Sequence, residues 1–143
     1  MSSGADTESG KFLIDPDGDG GDAAFNVRCD FETPGGPWTV VQRRVDSSVD
    51  FSKTYQNYID GFNMGDEGNQ WIGLKNLKIL TSQTTPMQFR VSLCKTDGLC
   101  LHAAYDRLTL GNAASKYKLE SVGTFLGGGL GDGKYSKRRC EQM

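Results

Sequence analysis

The residues of this chain that are best suited to bind a metal ion are three aspartates in the segment DPDGDG, at positions 15, 17 and 19. Their D-x-D-x-D-G spacing matches the start of an EF-hand loop, in which carboxylate oxygens converge on Ca²⁺, a hard cation. The twelfth loop position holds Asn26 in place of the usual bidentate glutamate. The segment therefore predicts either a weak calcium site formed by Asp15, Asp17 and Asp19 or an acidic, glycine-rich hairpin turn. Calcium is the one cofactor that these residues suggest.

Cysteine chemistry is the second possibility, because the chain has four cysteines. None of them forms a C-x-x-C pair, and the single histidine, His102, cannot complete a zinc site of familiar spacing. Cys94 and Cys100 flank the segment KTDGL, whose Asp-Gly pair is a turn signal between two alternating patterns. Facing positions of a hairpin bring β-carbons to ~4.5–5.5 Å, within reach of a disulfide. The spacing predicts a Cys94–Cys100 disulfide in an exported protein and two hairpin thiols in a reduced one.

The C-terminal segment carries two weaker signals. Residues 128–134 nearly satisfy the phosphate-binding pattern G-x-x-x-x-G-K-[ST], but Tyr135 stands where the magnesium-binding hydroxyl belongs. A short basic cluster would suit a sulfated polysaccharide or a processing site; it consists of Lys134, Lys137, Arg138 and Arg139. Residues 127–143 have few apolar groups and are predicted to form a glycine-rich basic tail. A solvated tail is the simpler interpretation of both signals.

Composition narrows the classes of function. The 143 residues suffice for one ordinary domain, and the 19 glycines suit a turn-rich protein. A net charge of −2 argues against a nucleic-acid binder, and no apolar run reaches the ~18 residues of a membrane span. No H-E-x-x-H or G-x-S-x-G motif is present, so we expect no enzyme. Residues 1–8 are predicted to be a disordered lead, without the basic flank and apolar run of a secretory signal.

Hydrophobic periodicity indicates the elements that position these residues. Alternation predicts strands over residues 11–14, 24–29 and 38–44 and, later, over residues 87–93, 101–105, 107–110 and 116–122. A first helix is predicted to be capped by Asp50 and ended by Gly61, and a second helix to span residues 71–80. The first helix carries an aromatic stripe that we expect in the core: Phe51, Tyr55, Tyr58 and Phe62. The predicted fold is α+β, an antiparallel sheet with two short helices.

Four sequence segments, in a fixed order, resemble one known family. They read FNVRCD at residues 25–30, GPWTVVQRR at 36–44, DSSVDF at 46–51 and WIGL at 71–74. These are similar to the motifs F-x-V-x-C-D, G-G-W-T-V-I-Q-R-R, D-G-S-V-D-F and W-L-G-L of the fibrinogen C-terminal domain. The resemblance covers residues 9–126 and implies the N-terminal and central parts of that domain.

The resemblance also implies a function. Proteins of this type are extracellular, non-enzymatic recognition or adhesion modules, often lectin-like and active in innate immunity, and they bind a protein or glycan ligand. No segment here matches the family's acidic calcium loop or its ligand pocket, so the expected module lacks that region. Secretion is expected by the same resemblance.

An alternative role follows from what this chain lacks relative to the family. The counterpart of Cys29 pairs in the family with an upstream cysteine that is absent here, which leaves Cys29 to pair with Cys140, to pair between chains, or to stay free. The family's final strand is also missing, and an open sheet edge invites strand addition. The alternative is a structural component of an extracellular fibre or matrix, a homo-oligomer assembled by strand pairing and interchain disulfides.

Overall fold

The computed structural model describes residues 8–18 and 24–131. The chain divides into two compact units, unit 1 at Met1–Gln83 and unit 2 at Thr84–Met143. Within the described residues, both units contain antiparallel strands, and unit 1 also contains two α-helices. The predicted α+β fold is confirmed, with its strands distributed over several small sheets.

Unit 1 is built on a three-stranded sheet in the order β1-β2-β3. The strands are β1 at Gly10–Ile14, β2 at Phe25–Asp30 and β3 at Trp38–Val40. Alternation along β2 buries Phe25 and Val27, and Val27 is only 1% exposed. The first two strands were predicted within one residue of their observed bounds.

The predicted strand at residues 38–44 is instead two strands with different partners. β3 pairs with β2, whereas β4 at Gln42–Arg43 pairs with β5 at Gln70–Trp71. Between them the carbonyl of Val41 accepts a hydrogen bond from the N–H of Ile72, at 2.9 Å. The chain therefore changes sheets at Val41, and this change depends on a segment thirty residues later in the sequence.

The first helix is shorter than predicted. α1 spans Tyr55–Asp60, and its cap is Thr54, whose hydroxyl accepts a hydrogen bond from the N–H of Asn57 at 3.2 Å. Asp50 accepts from the N–H of Ser52 at 2.8 Å and stabilises a turn before the helix, so the prediction of an Asp50 cap was wrong. The predicted stop at Gly61 is confirmed by its φ of 86°, a conformation that favours glycine.

The second helix begins later than predicted. α2 spans Leu74–Thr81 and buries Leu77 and Leu80. Trp71 precedes it in β5, and Gly73, with φ of 96°, separates the strand from the helix. A side chain at Gly73 would place its Cβ 2.7 Å from the carbonyl of Ile59, so this close approach requires glycine.

Unit 2 is built on a three-stranded antiparallel sheet. Its central hairpin consists of β6 at Phe89–Cys94 and β7 at Cys100–Tyr105. A two-stranded ribbon joins β8 at Thr109–Leu110 to β9 at Leu119–Ser121, with a 3₁₀ turn at Ala113–Ser115 between them. The third strand of the sheet is β10 at Phe125–Gly127.

Ordered backbone continues past residue 126. Gly127 pairs with Ala104, and the N–H of Leu130 donates to the carbonyl of His102 at 3.0 Å. A Cβ on Gly128 would clash with that carbonyl oxygen, so this stretch packs closely against β7. The segment predicted as a tail therefore starts as part of the sheet. Its basic cluster, from Lys134 to Arg139, lies outside the described residues, as does nearly all of the predicted lead.

In the parts of the chain that the structure describes, no helix has the length and apolar character needed to cross a bilayer.

Candidate functional sites

The β6–β7 hairpin ends in a disulfide between Cys94 and Cys100. The two cysteines face each other directly in the register of the hairpin, and both are exposed. The turn beyond them is closed by hydrogen bonds from the N–H of Lys95 to the carbonyl of Leu99, at 2.8 Å, and from Gly98 to Lys95, at 3.0 Å. The Asp97 carboxylate accepts from the N–H of Leu99 at 2.9 Å. The tip of the hairpin is therefore held both covalently and by its turn.

The side of the hairpin opposite the disulfide is apolar. Leu93 pairs with Leu101, and the preceding pairs on the same side are Val91 with Ala103 and Phe89 with Tyr105. Burial decreases toward the tip, where Leu93 is 58% exposed. Leu99, beyond the disulfide, is 51% exposed. The hairpin thus presents aliphatic surface at its tip.

The predicted calcium ligands lie only in part within the described residues. Asp15 and Asp17 directly follow β1, and Asp19 lies outside the described residues. A hydrogen bond with Asp17, together with burial and the Asp17 charge, raises the pKa of Asp15, while the N–H of Gly18 opposes the shift. Among the described residues no group of three or more His, Cys, Asp or Glu side chains is placed to hold a metal ion.

Cys29 is a half-buried thiol in the middle strand of the unit 1 sheet. It faces Gly10 on β1 and Thr39 on β3 and has no disulfide partner among the described residues. Burial raises the pKa of this thiol, which disfavours the reactive thiolate. Cys140, its predicted partner, is outside the described residues, so the pairing of Cys29 stays a prediction.

Four half-exposed rings in unit 1 form a group that we call the aromatic cluster: Phe51, Tyr58, Phe62 and Trp71. The Phe51 and Phe62 centroids are 5.0 Å apart with edge-to-face geometry, and the Tyr58 centroid lies 5.8 Å from Phe62 and 5.9 Å from Trp71. The indole N–H of Trp71 donates to the carbonyl of Tyr58 at 2.8 Å. The prediction that the stripe of Phe51, Tyr55, Tyr58 and Phe62 lies in the core was wrong, because Tyr55 is 52% exposed and the other three are only half-buried. Trp71 takes the place of Tyr55 in the cluster.

Two cations lie over rings of the aromatic cluster. The Arg44 guanidinium carbon is 4.3 Å from the centroid of Phe51, and the Lys53 ammonium is 5.0 Å from that of Phe62. Both cationic residues are exposed, so they cover ring faces on the solvent side. Sequence reasoning missed these contacts. The available signal was the alternation of basic and aromatic residues between positions 43 and 62.

A buried amide organises the loop beside this cluster. Asn69 is 4% exposed and accepts from the N–H of Val45 at 2.9 Å through its Oδ1. Its Nδ2 donates to the Asp46 carboxylate at 2.7 Å and to Ser48 Oγ at 3.1 Å. Hydrogen bonds from Ser48, and then from Asn69, lower the pKa of Asp46. Periodicity did not predict this role, because a buried asparagine interrupts an apolar pattern in the same way as a loop residue.

A family model described as the C-terminal globular domain of fibrinogen beta and gamma chains matches residues 1–141. The chain is 38% identical over 107 residues to Ryncolin-4 of Cerberus rynchops, which covers 74% of this chain and 30% of that protein. It is 40% identical over 106 residues to human fibroleukin, covering 73% of this chain and 23% of that protein. The chain thus spans less than half the length of these curated relatives.

Solved structures of fibrinogen-type proteins also match this chain. The fibrinogen-like globe domain of human ANGPTL2 superposes with a TM-score of 0.80 at 31% identity, over 89% of this chain and 56% of that one. A lamprey fibrin D-dimer in complex with the peptide Gly-His-Arg-Pro-amide superposes with a TM-score of 0.72 at 28% identity, over 84% of this chain and 37% of that one.

Proposed function

Since this chain belongs to the family of fibrinogen C-terminal globular domains, we propose that it is an extracellular, non-enzymatic recognition or adhesion module for a protein or glycan ligand. The observation that carries the proposal is the match to the fibrinogen-like globe of human ANGPTL2 over 89% of this chain. The disulfide that ends the β6–β7 hairpin supports a secreted protein, because such bonds persist in oxidising compartments. Absence of the family's calcium and ligand-pocket region remains a part of this proposal that only sequence motifs support; the match extends over 56% of the ANGPTL2 globe.

Retention on immobilised ligands tests the recognition role. The purified chain is passed over resins that carry acetylated sugars, and over a resin with the peptide Gly-His-Arg-Pro-amide, each with calcium and with chelator. We expect retention on at least one resin. It should be equal with calcium and with chelator, because the proposed module lacks the family's calcium region, and it should be lost after the chain is heat-denatured. Passage through every resin without delay would contradict a lectin-like or knob-binding role.

A second function, assembly into an extracellular fibre or matrix, is favoured by two features of unit 1. β1 is an edge strand: within the described residues it pairs with β2 alone, and its Leu13 is 68% exposed. Cys29 in the same sheet has no disulfide partner among the described residues. An unpaired strand edge accepts a strand from another chain. Because Cys29 lies on the middle strand, an interchain disulfide at Cys29 would be a second contact, separate from pairing at β1.

Oligomeric state with and without reductant tests the second function. Light scattering of the wild-type chain is compared with that of the Cys29→Ser variant. Assembly by strand pairing predicts oligomers in both, and an added interchain disulfide predicts that only wild type forms dimers on a non-reducing gel. A monodisperse monomer at high protein concentration would contradict the assembly role and leave the recognition role intact.

A further inference from the structure

The aromatic cluster has the features of a binding site for cations, and two cationic side chains of the same chain occupy it. Ring faces of Phe51 and Phe62 are covered by Arg44 and Lys53, at 4.3 Å and 5.0 Å. Cations over aromatic faces are attracted by the ring quadrupole. Because both cationic residues are exposed and their side chains have many rotamers, a cation from another molecule can exchange with either of them.

Asp50 adds a negative charge to the same place. It directly precedes Phe51 in the sequence, and its carboxylate accepts from the N–H of Ser52 at 2.8 Å. The Ser52 hydrogen bonds lower the pKa of Asp50 first, and the charges of Lys53 and Arg44 lower it further. The carboxylate is therefore ionised at neutral pH, and its residue adjoins Phe51 of the aromatic cluster in the sequence.

The charge of unit 1 favours a basic partner. Residues 1–83 contain thirteen Asp and Glu residues against seven Lys and Arg, although the whole chain has a net charge of only −2. A net negative charge attracts basic partners and speeds their association. It repels sulfated or phosphorylated ligands by the same effect. The rings, Asp50 and the net charge of unit 1 therefore all favour a cationic ligand.

We propose that the aromatic cluster and Asp50 form a docking surface for an arginine- or lysine-bearing peptide segment of a protein partner. The partner's cations take the ring positions that Arg44 and Lys53 hold in the free protein. Guanidinium groups dock better than ammonium groups, because they stack on aromatic faces and bind a carboxylate with two hydrogen bonds. This surface gives the proposed recognition role a ligand class, and the inference rests on that role.

If the cations of the ligand compete with Arg44 and Lys53 for the rings, removal of these two residues must strengthen peptide binding. A fluorescein-labelled hexa-arginine peptide is titrated with the full chain, and binding is followed by anisotropy. Replacing both resident cations (Arg44→Gln with Lys53→Gln) frees the ring faces, so binding should tighten about fivefold or more. The control, Lys11→Gln with Lys75→Gln, also removes two positive charges but leaves Arg44 and Lys53 in place. It should tighten binding at most about twofold, because both lysines are exposed and neither is among the cations found over a ring within the described residues.

Loss of the rings or of the carboxylate should have the opposite effect. Phe51→Leu keeps an apolar side chain and should weaken peptide binding about two- to fivefold, with thermal unfolding used to verify the fold. Asp50→Asn leaves every ring in place and should weaken binding as well. The proposal would be overturned if the variant that lacks Arg44 and Lys53 bound the peptide no more tightly than the control variant. It would also be overturned if Phe51→Leu and Asp50→Asn both left binding unchanged. Retention on sugar resins by a chain that fails this test would leave the recognition role standing.

Discussion

Asn69 shows at the residue scale how a polar side chain stabilises a loop from within. Four hydrogen bonds connect its amide to Val45, Asp46 and Ser48. The Asn69→Ala substitution leaves the Val45 N–H and the Asp46 carboxylate without this partner. We expect a loss of about 2–3 kcal/mol in the free energy of unfolding, measured by urea denaturation. Ser47→Ala, in the exposed part of the same loop, should change it by less than ~0.5 kcal/mol. Equal effects of the two substitutions would contradict a stabilising role for the amide.

Three carboxyl groups with lowered pKa values predict a loss of stability in acid. Burial acts to raise the pKa of Asp30, but hydrogen bonds from Thr33 and from the N–H of Glu32 outweigh it, and the net shift is downward. Asp46 and Asp50 are lowered by hydrogen bonds from Ser48 and Ser52. A lowered pKa in the folded state stabilises the fold above the ordinary value near ~3.9, and this stability is lost as pH falls through the lowered value.

The Tm should therefore fall as pH is lowered from 5 to 2, and Asp30→Asn should reduce the size of that fall. The control is Asp15→Asn, because the raised pKa of Asp15 has the opposite sign: its ionised form is the less favourable one in the fold. Removing that carboxyl should make the fall steeper, or leave it unchanged. A smaller fall for Asp15→Asn than for Asp30→Asn would contradict the assignment.

The acidic turn after β1 gives a prediction about calcium. If Asp15, Asp17 and Asp19 bind the ion, millimolar CaCl₂ should raise the Tm of the wild-type chain by a few degrees, since a ligand that binds only the folded state stabilises it. Asp15→Asn should remove that increase, and MgCl₂ at equal ionic strength should not produce it, because Mg²⁺ demands stricter octahedral geometry. An unchanged wild-type Tm would contradict a calcium site and leave an acidic hairpin turn.

At the scale of elements, the disulfide closes a loop of seven residues, from Cys94 to Cys100. Restricting the unfolded chain in this way contributes about 2 kcal/mol in the loop-entropy model. We expect the Cys94→Ser, Cys100→Ser double variant to lose about that much stability and to keep the hairpin, because the register and turn hydrogen bonds remain. Urea unfolding measures the loss, and the Cys29→Ser variant is the thiol control. A double variant as stable as wild type would contradict this contribution.

The same elements show what periodicity can and cannot predict. The β6–β7 hairpin was predicted well, because alternation and an Asp-Gly turn are local signals that agree with each other. The helix at residues 50–62 was predicted too long, because Phe51 and Phe62 continue a helical spacing while they pack from positions outside α1. The division of the strand after Val40 depends on Ile72, and no local pattern contains that information. The cation positions over the rings are likewise tertiary contacts.

At the scale of the whole molecule, each unit has its own buried residues. Unit 1 buries Val27, Ile72 and Leu77, and unit 2 buries Ala103, Tyr105 and Leu110. A small apolar core in each unit allows the two units to unfold in separate steps, because cooperative units often coincide with compact groups of elements. Tryptophan fluorescence reports on unit 1 alone, because both tryptophans, Trp38 and Trp71, belong to it.

Paired core substitutions test this division. Ile72 is 1% exposed, and Ile72→Ala should lower the free energy of unfolding by about 2–4 kcal/mol, because it leaves a cavity in unit 1. The urea midpoint reported by tryptophan fluorescence should fall by about 1 M or more. Leu110→Ala makes a matched cavity in unit 2, so it should move the transition seen by far-UV circular dichroism and leave the tryptophan midpoint nearly in place. Equal shifts of both signals in both variants would show that the chain unfolds as one cooperative unit.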